Sequence, residues 1–234
     1  MKTHVIIQAR LGSKRLPGKV LIPIVRYNSL ELIYKRVSKS KLIDDIFFAI
    51  PNNKKNFKLK KFISKKINCV VFSGSEKNVT NRYYLAAKKF KSDIIVRITG
   101  DCPLVDSEII DEYIKILKKN NLDYVYNGAP HTYPRGLDVE VFTYDALKKA
   151  NKNAKTFFQK DGVTRYFRDN LKKFKVRHIN CPIQNISHLR ITLDTYEDLL
   201  LIKKIYKHFY PKVIFSWKKI VKFYRLNKYK FNNS

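Results

Sequence analysis

The sequence predicts an α/β fold, a mainly parallel sheet flanked by helices on both faces. Short, continuous apolar runs alternate with amphipathic stretches through the first half of the chain, the pattern of right-handed βαβ units. Several runs end in loops carrying Gly, Asp or clustered cations, and open α/β sheets bind ligands beyond the carboxyl ends of their strands. With 234 residues, 44% of them hydrophobic, the chain can form one sizeable domain or two small ones and is too apolar for wholesale disorder.

Val5–Ile7 is the first predicted strand, followed by the loop Gln8–Lys19. Asn28-Ser29 is placed to cap a helix whose Leu30, Ile33, Tyr34 and Val37 follow helical apolar spacing. Ile46–Ile50 reads as a buried strand stopped by Pro51, and Phe57–Ile67 as a helix with Phe62, Ile63 and Ile67 inward. A strand at Cys69–Phe72, a helix at Val79–Phe90 and a strand at Ile94–Ile98 follow, the last running into the loop Thr99–Asp106. Ser107 is placed to cap a helix carrying Ile109, Ile110, Tyr113, Ile114 and Leu117.

The second half is less regular. Strands at Tyr124–Tyr126 and Val139–Phe142 enclose the long loop Asn127–Gly136, and long loops in compact domains tend to be functional. Helices at Tyr144–Asn151 and Gly162–Asn170, strands at Lys175–Ile179 and Arg190–Leu193, and a helix at Glu197–Phe209 ended by Pro211 complete the body. Residues 211–234 form a basic, aromatic tail in which Trp217, Ile220, Val221 and Tyr224 are spaced to pack on that body.

The formal charge is +30, from 49 Lys and Arg against 19 Asp and Glu. Such a balance raises nucleic acid or an anionic surface as partners. The excess is mostly Lys, spread along the chain among many Asn and Ile, so it points to compositional bias and to no specific nucleic acid. Cys69, Cys102 and Cys181 are far apart with no zinc spacing, which fits a reduced, cytoplasmic compartment. No leader is visible, and no apolar run approaches the roughly 20 residues that span a bilayer, so no membrane insertion is expected.

Four cations, Arg10, Lys14, Arg15 and Lys19, fall in the loop QARLGSKRLPGK with no acid among them, and Gly12 and Gly18 permit turns. A strand ending in such a loop can hold a polyphosphate, with backbone N–H groups pointing inward and side chains supplying charge. A solvated basic loop is the alternative; position after the first strand and pinning by Pro17 favour the phosphate site. In Arg97-Ile98-Thr99-Gly100-Asp101-Cys102-Pro103-Leu104, Asp101 lies just past a buried strand and can bind Mg²⁺ beside those phosphates or cap a turn. In Leu193-Asp194-Thr195-Tyr196-Glu197-Asp198, Thr195 and Asp198 form a capping pair, and Asp194 faces the same sheet edge as Asp101. Two carboxylates sharing one Mg²⁺ is a common requirement of nucleotidyl transfer.

Together IIQARLGSKRLPGKVL, VRITGDCPLVD, NRYYLAAKKF, GLDVEVF and HLRITLDTYEDL resemble, in this order, the SpsF-like cytidylyltransferase family of spore coat polysaccharide biosynthesis, related to the synthetases of CMP-activated acid sugars. The resemblance runs from about Lys2 to Tyr210. It implies a single-domain GT-A-like nucleotide-diphospho-sugar transferase fold over residues 1–210, a homodimer, and Mg²⁺-dependent reaction of CTP with an acidic sugar or related acid. By that resemblance Gln8, Ala9, Arg10, Gly12, Ser13, Arg15, Lys19, Arg97 and Thr99 surround the nucleotide, and Ser73 and Gly74 either touch it or form an ordinary turn. Arg15, Lys19, Asp101 and Asp194 are the expected catalytic set, with Asp101 and Asp194 on the metal and Asp194 also available as a base.

On the acceptor side, Asp138 and Glu140 alternate with Leu137, Val139 and Val141, so both acids share one face and can meet acceptor hydroxyls or solvent. Arg135, His188 and Arg190 are candidate contacts for the acceptor, with His131 a weaker one. The sequence departs from the family at Pro51-Asn52-Asn53 and at Asn81, where relatives carry threonines and acids. Cys102 has no His near it in sequence and is expected to pack rather than react. A glycosyltransferase would need a metal-binding Asp-x-Asp, and the nearest match, Asp138-Val139-Glu140, is not one.

Overall fold

The structure is a computed structural model that describes residues 1–226. Its sheet has seven strands: β1 (Thr3–Gln8), β2 (Asp45–Pro51), β3 (Val70–Gly74), β4 (Ile94–Thr99), β5 (Tyr124–Tyr126), β6 (Glu140–Thr143) and β7 (Val176–His178). Their spatial order is β3-β2-β1-β4-β6-β5-β7. The first four are mutually parallel; β6 runs antiparallel to β4 and β5, and β7 parallel to β5. β1 is central, and its order against β2 and β4 reverses there. The loops after β1 and β4 therefore open a crevice at the switch point. The register sets Gln8 of β1 beside Thr99 of β4, so the two loops leave the sheet at one level.

Helices α1 (Ser29–Val37), α2 (Phe57–Phe62), α3 (Val79–Phe90) and α4 (Ser107–Lys119) cover the parallel half. α5 (Tyr144–Asn153), α6 (Phe157–Asp161), α7 (Arg165–Asp169), α8 (Tyr196–Phe209) and α9 (Trp217–Leu226) follow. The two sheet faces bury separate cores. Val5, Ile7, Val96 and Ile98 face the core shared with α1, α4, α8 and α9, and Ile6, Ile95 and Phe142 face the one shared with α3, α5 and α7. This alternation of inward residues between two covered faces is why the strands read as continuous apolar runs.

Several boundaries differ from expectation for local physical reasons. α1 begins in a full capping box: the Asn28 side chain accepts from Glu31 N–H, and the Glu31 carboxylate accepts from Asn28 N–H. The cap of α4 is Asp106 rather than Ser107; its carboxylate accepts from Glu108 N–H and from Trp217 N–H at 2.7 Å. Pro51 is the last residue of β2 rather than its stop, because it sits at the strand end. After Phe62 the predicted long helix gives way to a π turn over Ile63–Ile67, and Leu59, Ile63 and Ile67 are its buried residues. The helix expected near Gly162–Asn170 is present but shorter: α7 spans Arg165–Asp169, and the separate α6 ends before Gly162. Arg190–Leu193 is not a strand; an isolated bridge, Arg135 to Arg190, is its only pairing among the described residues.

The tail packs as expected. Trp217, Ile220, Val221 and Phe223 of α9 are buried in the main core, with Tyr224 half-buried against it. Buried Arg36 of α1 ties this tail to the β4–α4 loop. Its guanidinium donates to Val105 O at 2.7 Å, Leu104 O at 3.4 Å, Val213 O at 3.0 Å and Phe215 O at 2.8 Å. No helix among the described residues is long and apolar enough to cross a membrane.

Candidate active site

The loop after β1 is held at both ends. Leu11 N–H donates to the side chain of Asn56 at 3.0 Å, and Asn56 is itself fixed by Asn53 at 2.7 Å. Gly18 takes φ +67°, a left-handed conformation that a side chain would strain, and it starts the short 3-10 turn Lys19–Leu21. Gly12 has no positive φ, and a Cβ there would meet nothing within 4 Å, so glycine is not required at that position. The turn drives Lys19 inward: its side chain is 11% exposed, whereas that of Arg15 is 63% exposed.

Buried Lys19 joins the two acidic motifs. Its Nζ lies 2.8 Å from Asp101 Oδ2 and 2.6 Å from Asp194 Oδ1. The carboxylates come from segments 93 residues apart in sequence and meet because the stretch before Asp194 is stitched to Asp101. Leu193 N–H donates to Asp101 O at 2.7 Å, and the Thr192 hydroxyl donates to the same oxygen at 3.1 Å. Asp198 fixes the far side, accepting from Asp194 N–H at 2.8 Å and from Arg190 Nε at 3.0 Å while completing the Thr195 capping box of α8. Arg190 also meets Asp194 at 2.6 Å, and Arg15 meets the same carboxylate at 2.9 Å. Burial alone would raise the Asp194 pKa, but Lys19, then Arg190 and Arg15, hold it down at about 2.

A cleft of about 760 Å³ opens above this cluster. Every predicted nucleotide-binding residue except Ser73 and Gly74 lines it, as do Asp101 and Asp194. Arg97 reaches it from β4, held between Gln8 at 3.3 Å and the carboxylate of Glu140. Cys102 is buried, and that burial, with Asp101 and Asp138 beside it, pushes its thiol well above the ordinary range, as a packing residue requires.

The acceptor-side expectations fare differently. None of Arg135, Asp138, Glu140, His188 and Arg190 lines the cleft. Glu140 is 4% exposed and is committed to Arg97, Arg168, Tyr124 and Thr164, so it serves as an internal counter-ion rather than meeting hydroxyls. Burial opposes its ionisation, but Arg97 and Arg168 hold its pKa below the usual carboxylate range. Asp138 accepts from Gly136 N–H at 2.9 Å and lies 3.4 Å from His131. His188 is exposed and packs edge-on to Tyr224, and Arg135 is exposed. Arg190 orients Asp194 instead of reaching into the cleft. Asn81 bonds Asn151 between α3 and α5, away from the site, whereas Asn53 acts on the β1 loop through Asn56.

Sequence reasoning missed Asn56, Glu76, Arg82 and Asp161, the last three of which line the cleft. Arg82 was visible inside the NRYYLAAKKF motif; the others carry no local signal, because they reach the site only through the packing of α2, α3 and α6.

A doubly wound sheet with a cation-rich clamp after its first strand, facing two carboxylates at the same edge, is the architecture of nucleotide-dependent transferases. The chain belongs to the cytidylyltransferase family, whose profile it matches over residues 4–231. It is similar to the spore coat polysaccharide biosynthesis protein SpsF of Bacillus subtilis, 32% identical over 208 residues covering 86% of this chain and 85% of that one. It is also similar to the 3-deoxy-manno-octulosonate cytidylyltransferase of Thermodesulfovibrio yellowstonii, 31% identical over 129 residues, 52% of this chain and 49% of that one. A solved cytidylyltransferase from Leptospira borgpetersenii superposes with a TM-score of 0.93 at 31% identity, covering 100% of this chain and 98% of the other.

Proposed function

We propose that the protein transfers CMP from CTP to a hydroxyl of an acidic sugar or related acid, with release of pyrophosphate, in the synthesis of a surface polysaccharide. The observation that carries this is buried Lys19, which bridges Asp101 and Asp194 at the floor of a cleft walled by the cation-rich loop. Membership of the cytidylyltransferase family and similarity to a 3-deoxy-manno-octulosonate cytidylyltransferase support the substrate classes.

In this reaction the acceptor oxygen attacks the α-phosphorus of CTP. A new P–O bond forms to the acceptor, the bond to the β-phosphate bridging oxygen breaks, and the acceptor proton passes to solvent. Arg10 and Arg15, exposed on the loop, can follow the triphosphate and the departing pyrophosphate. Lys19 stays fixed and offers a preorganised charge that needs no rearrangement as negative charge builds on the leaving group.

The donor set suits Mg²⁺: Asp101 and Asp194 present hard carboxylate oxygens close enough to share one ammonium. When bound there, Mg²⁺ would neutralise phosphate charge. Direct Mn²⁺ binding, followed by electron paramagnetic resonance, tests these ligands without turnover; Asp101→Asn is expected to weaken it. The family resemblance supports a homodimer, which a light-scattering mass of 27.7 kDa would contradict.

The function is tested by incubating the purified protein with Mg²⁺ and each of CTP, UTP, GTP and ATP against a panel of acidic sugars. Pyrophosphate release with CTP is expected. Silence with every nucleotide from the folded protein would sink the proposal.

A further inference from the structure

A second cavity, of about 670 Å³, is lined by Leu42, by Lys115, Ile116, Lys118 and Lys119 of α4, and by Arg177 of β7. α4 follows the loop that carries Asp101 and runs back along the sheet, and Leu42 lies just before β2. The cavity therefore sits at the edge of the sheet opposite the cleft, toward the N-terminal ends of the parallel strands.

Its charge is one-sided. Four of its residues are cations, and no acid lines it. All four are exposed, and among the described residues none of their side chains makes a hydrogen bond or an ion pair. Asp111 and Asp123, close by in sequence, are taken up by backbone. Asp111 accepts from Lys41 N–H at 3.0 Å and Leu42 N–H at 3.2 Å, and Asp123 accepts from Lys175 N–H at 2.8 Å. Cations in the last turn of a helix are favoured by its dipole, which accounts for Lys118 and Lys119. It does not account for Arg177, which arrives from the edge strand β7, or for Lys115, a turn earlier.

The remaining lining is apolar. Leu42 and Ile116 are half-buried, packed against the main core. A free phosphate or a nucleic-acid backbone needs only the cations. Apolar surface beside unpaired cations matches an amphiphile whose head is anionic and whose adjoining atoms are not. Lys and Arg suit that task, because their stems lie along apolar surface while their heads reach for charge. Clustered Lys and Arg are attracted to anionic lipid headgroups in this way.

We propose that this cavity docks the protein on the surface of an anionic phospholipid bilayer, without crossing it. Lys115, Lys118, Lys119 and Arg177 meet the lipid phosphates, and the cleft at the opposite edge stays open to solvent. Neither the docking nor its test depends on the CTP reaction. The test is cosedimentation of the full chain with vesicles of phosphatidylcholine, alone or mixed with phosphatidylglycerol, at physiological ionic strength. Binding is expected only to the mixed vesicles. A chain of +30 has cations everywhere, so two variants of equal net charge are compared. The first carries Lys115→Gln, Lys118→Gln, Lys119→Gln and Arg177→Gln. The second carries Lys58→Gln, Lys60→Gln, Lys61→Gln and Lys65→Gln, at exposed positions of α2 and the turn after it. The first should lose about 10-fold or more in affinity for the mixed vesicles, and the second less than about 3-fold. All eight side chains are exposed, and thermal melts check that both variants fold. Equal losses in the two variants, or no binding of the wild type to mixed vesicles, would overturn the proposal. Release from the vesicles by inorganic phosphate, beyond that by chloride at the same ionic strength, would assign the cavity to a free phosphate and overturn it too.

Discussion

Lys19 is where local sequence and distant sequence meet. As one of 49 basic residues it carries no distinction in the composition. In the structure it is nearly buried and is the shared partner of both site carboxylates. Removing it leaves Asp101 and Asp194 facing each other without their common cation, while Arg15 and Arg190 still hold Asp194. Lys19→Ala is therefore expected to lower kcat/KM for CTP by about 100-fold or more while the protein still folds, as read by pyrophosphate release and circular dichroism. Asp194 gives a second expectation. Its folded pKa, about 2, lies below the unfolded value, so the stability it contributes is present above the ordinary carboxylate range and is lost as pH falls through about 2. The pH profile of kcat/KM should accordingly show no acid limb from Asp194 near neutral pH. An acid limb near pH 4 to 5 that disappears in Asp194→Asn would contradict this.

Among the elements, the join between α1, the β4–α4 loop and the approach to α9 has the most to lose from one substitution. Arg36 donates to four backbone oxygens on two segments and lies 3.9 Å from Asp106, with both side chains 3% exposed. Asp106 in turn caps α4 and receives Trp217 N–H. Arg36→Met leaves those carbonyls and that carboxylate buried without their cation and should cost about 3–5 kcal/mol in urea unfolding. The β4–α4 loop also carries Asp101, so turnover at low temperature should fall less than stability does. The Thr195–Asp198 capping box shows the reverse case, a structural pair legible from Thr-x-x-Asp spacing that also orients a site residue, through Asp198 on Asp194 N–H and Arg190.

At the level of the whole molecule, the C-terminal helix is part of the core. Trp217, Ile220, Val221 and Phe223 are each at most 6% exposed. Burying such side chains stabilises by roughly 1.5–3 kcal/mol each, which together rivals the 5–15 kcal/mol margin of a typical domain. Deletion from Trp217 onward should therefore give a chain that no longer unfolds cooperatively on heating. A cooperative melt within a few degrees of the full chain would count against this placement.

The α/β class, the order of most strands and helices, the clamp and both acidic motifs were all legible in the amino-acid order. All of these rest on periodicity, capping and turn chemistry within a few residues of each other. Glu140 was misjudged, because its alternation with Leu137, Val139 and Val141 looks like a half-exposed strand. Only the approach of Arg97 and Arg168 from β4 and α7 turned that carboxylate inward as a counter-ion. Arg190 reads as a substrate contact where the fold uses it to hold Asp194, and nothing local marks Asn56, Glu76 or Asp161. The difference has one physical cause. Secondary structure follows from short-range spacing, whereas which charge meets which is decided by contacts across tens of residues. Lys19 with Asp194, 175 positions apart, is the contact on which the proposed chemistry depends, and only the packed sheet brings it about.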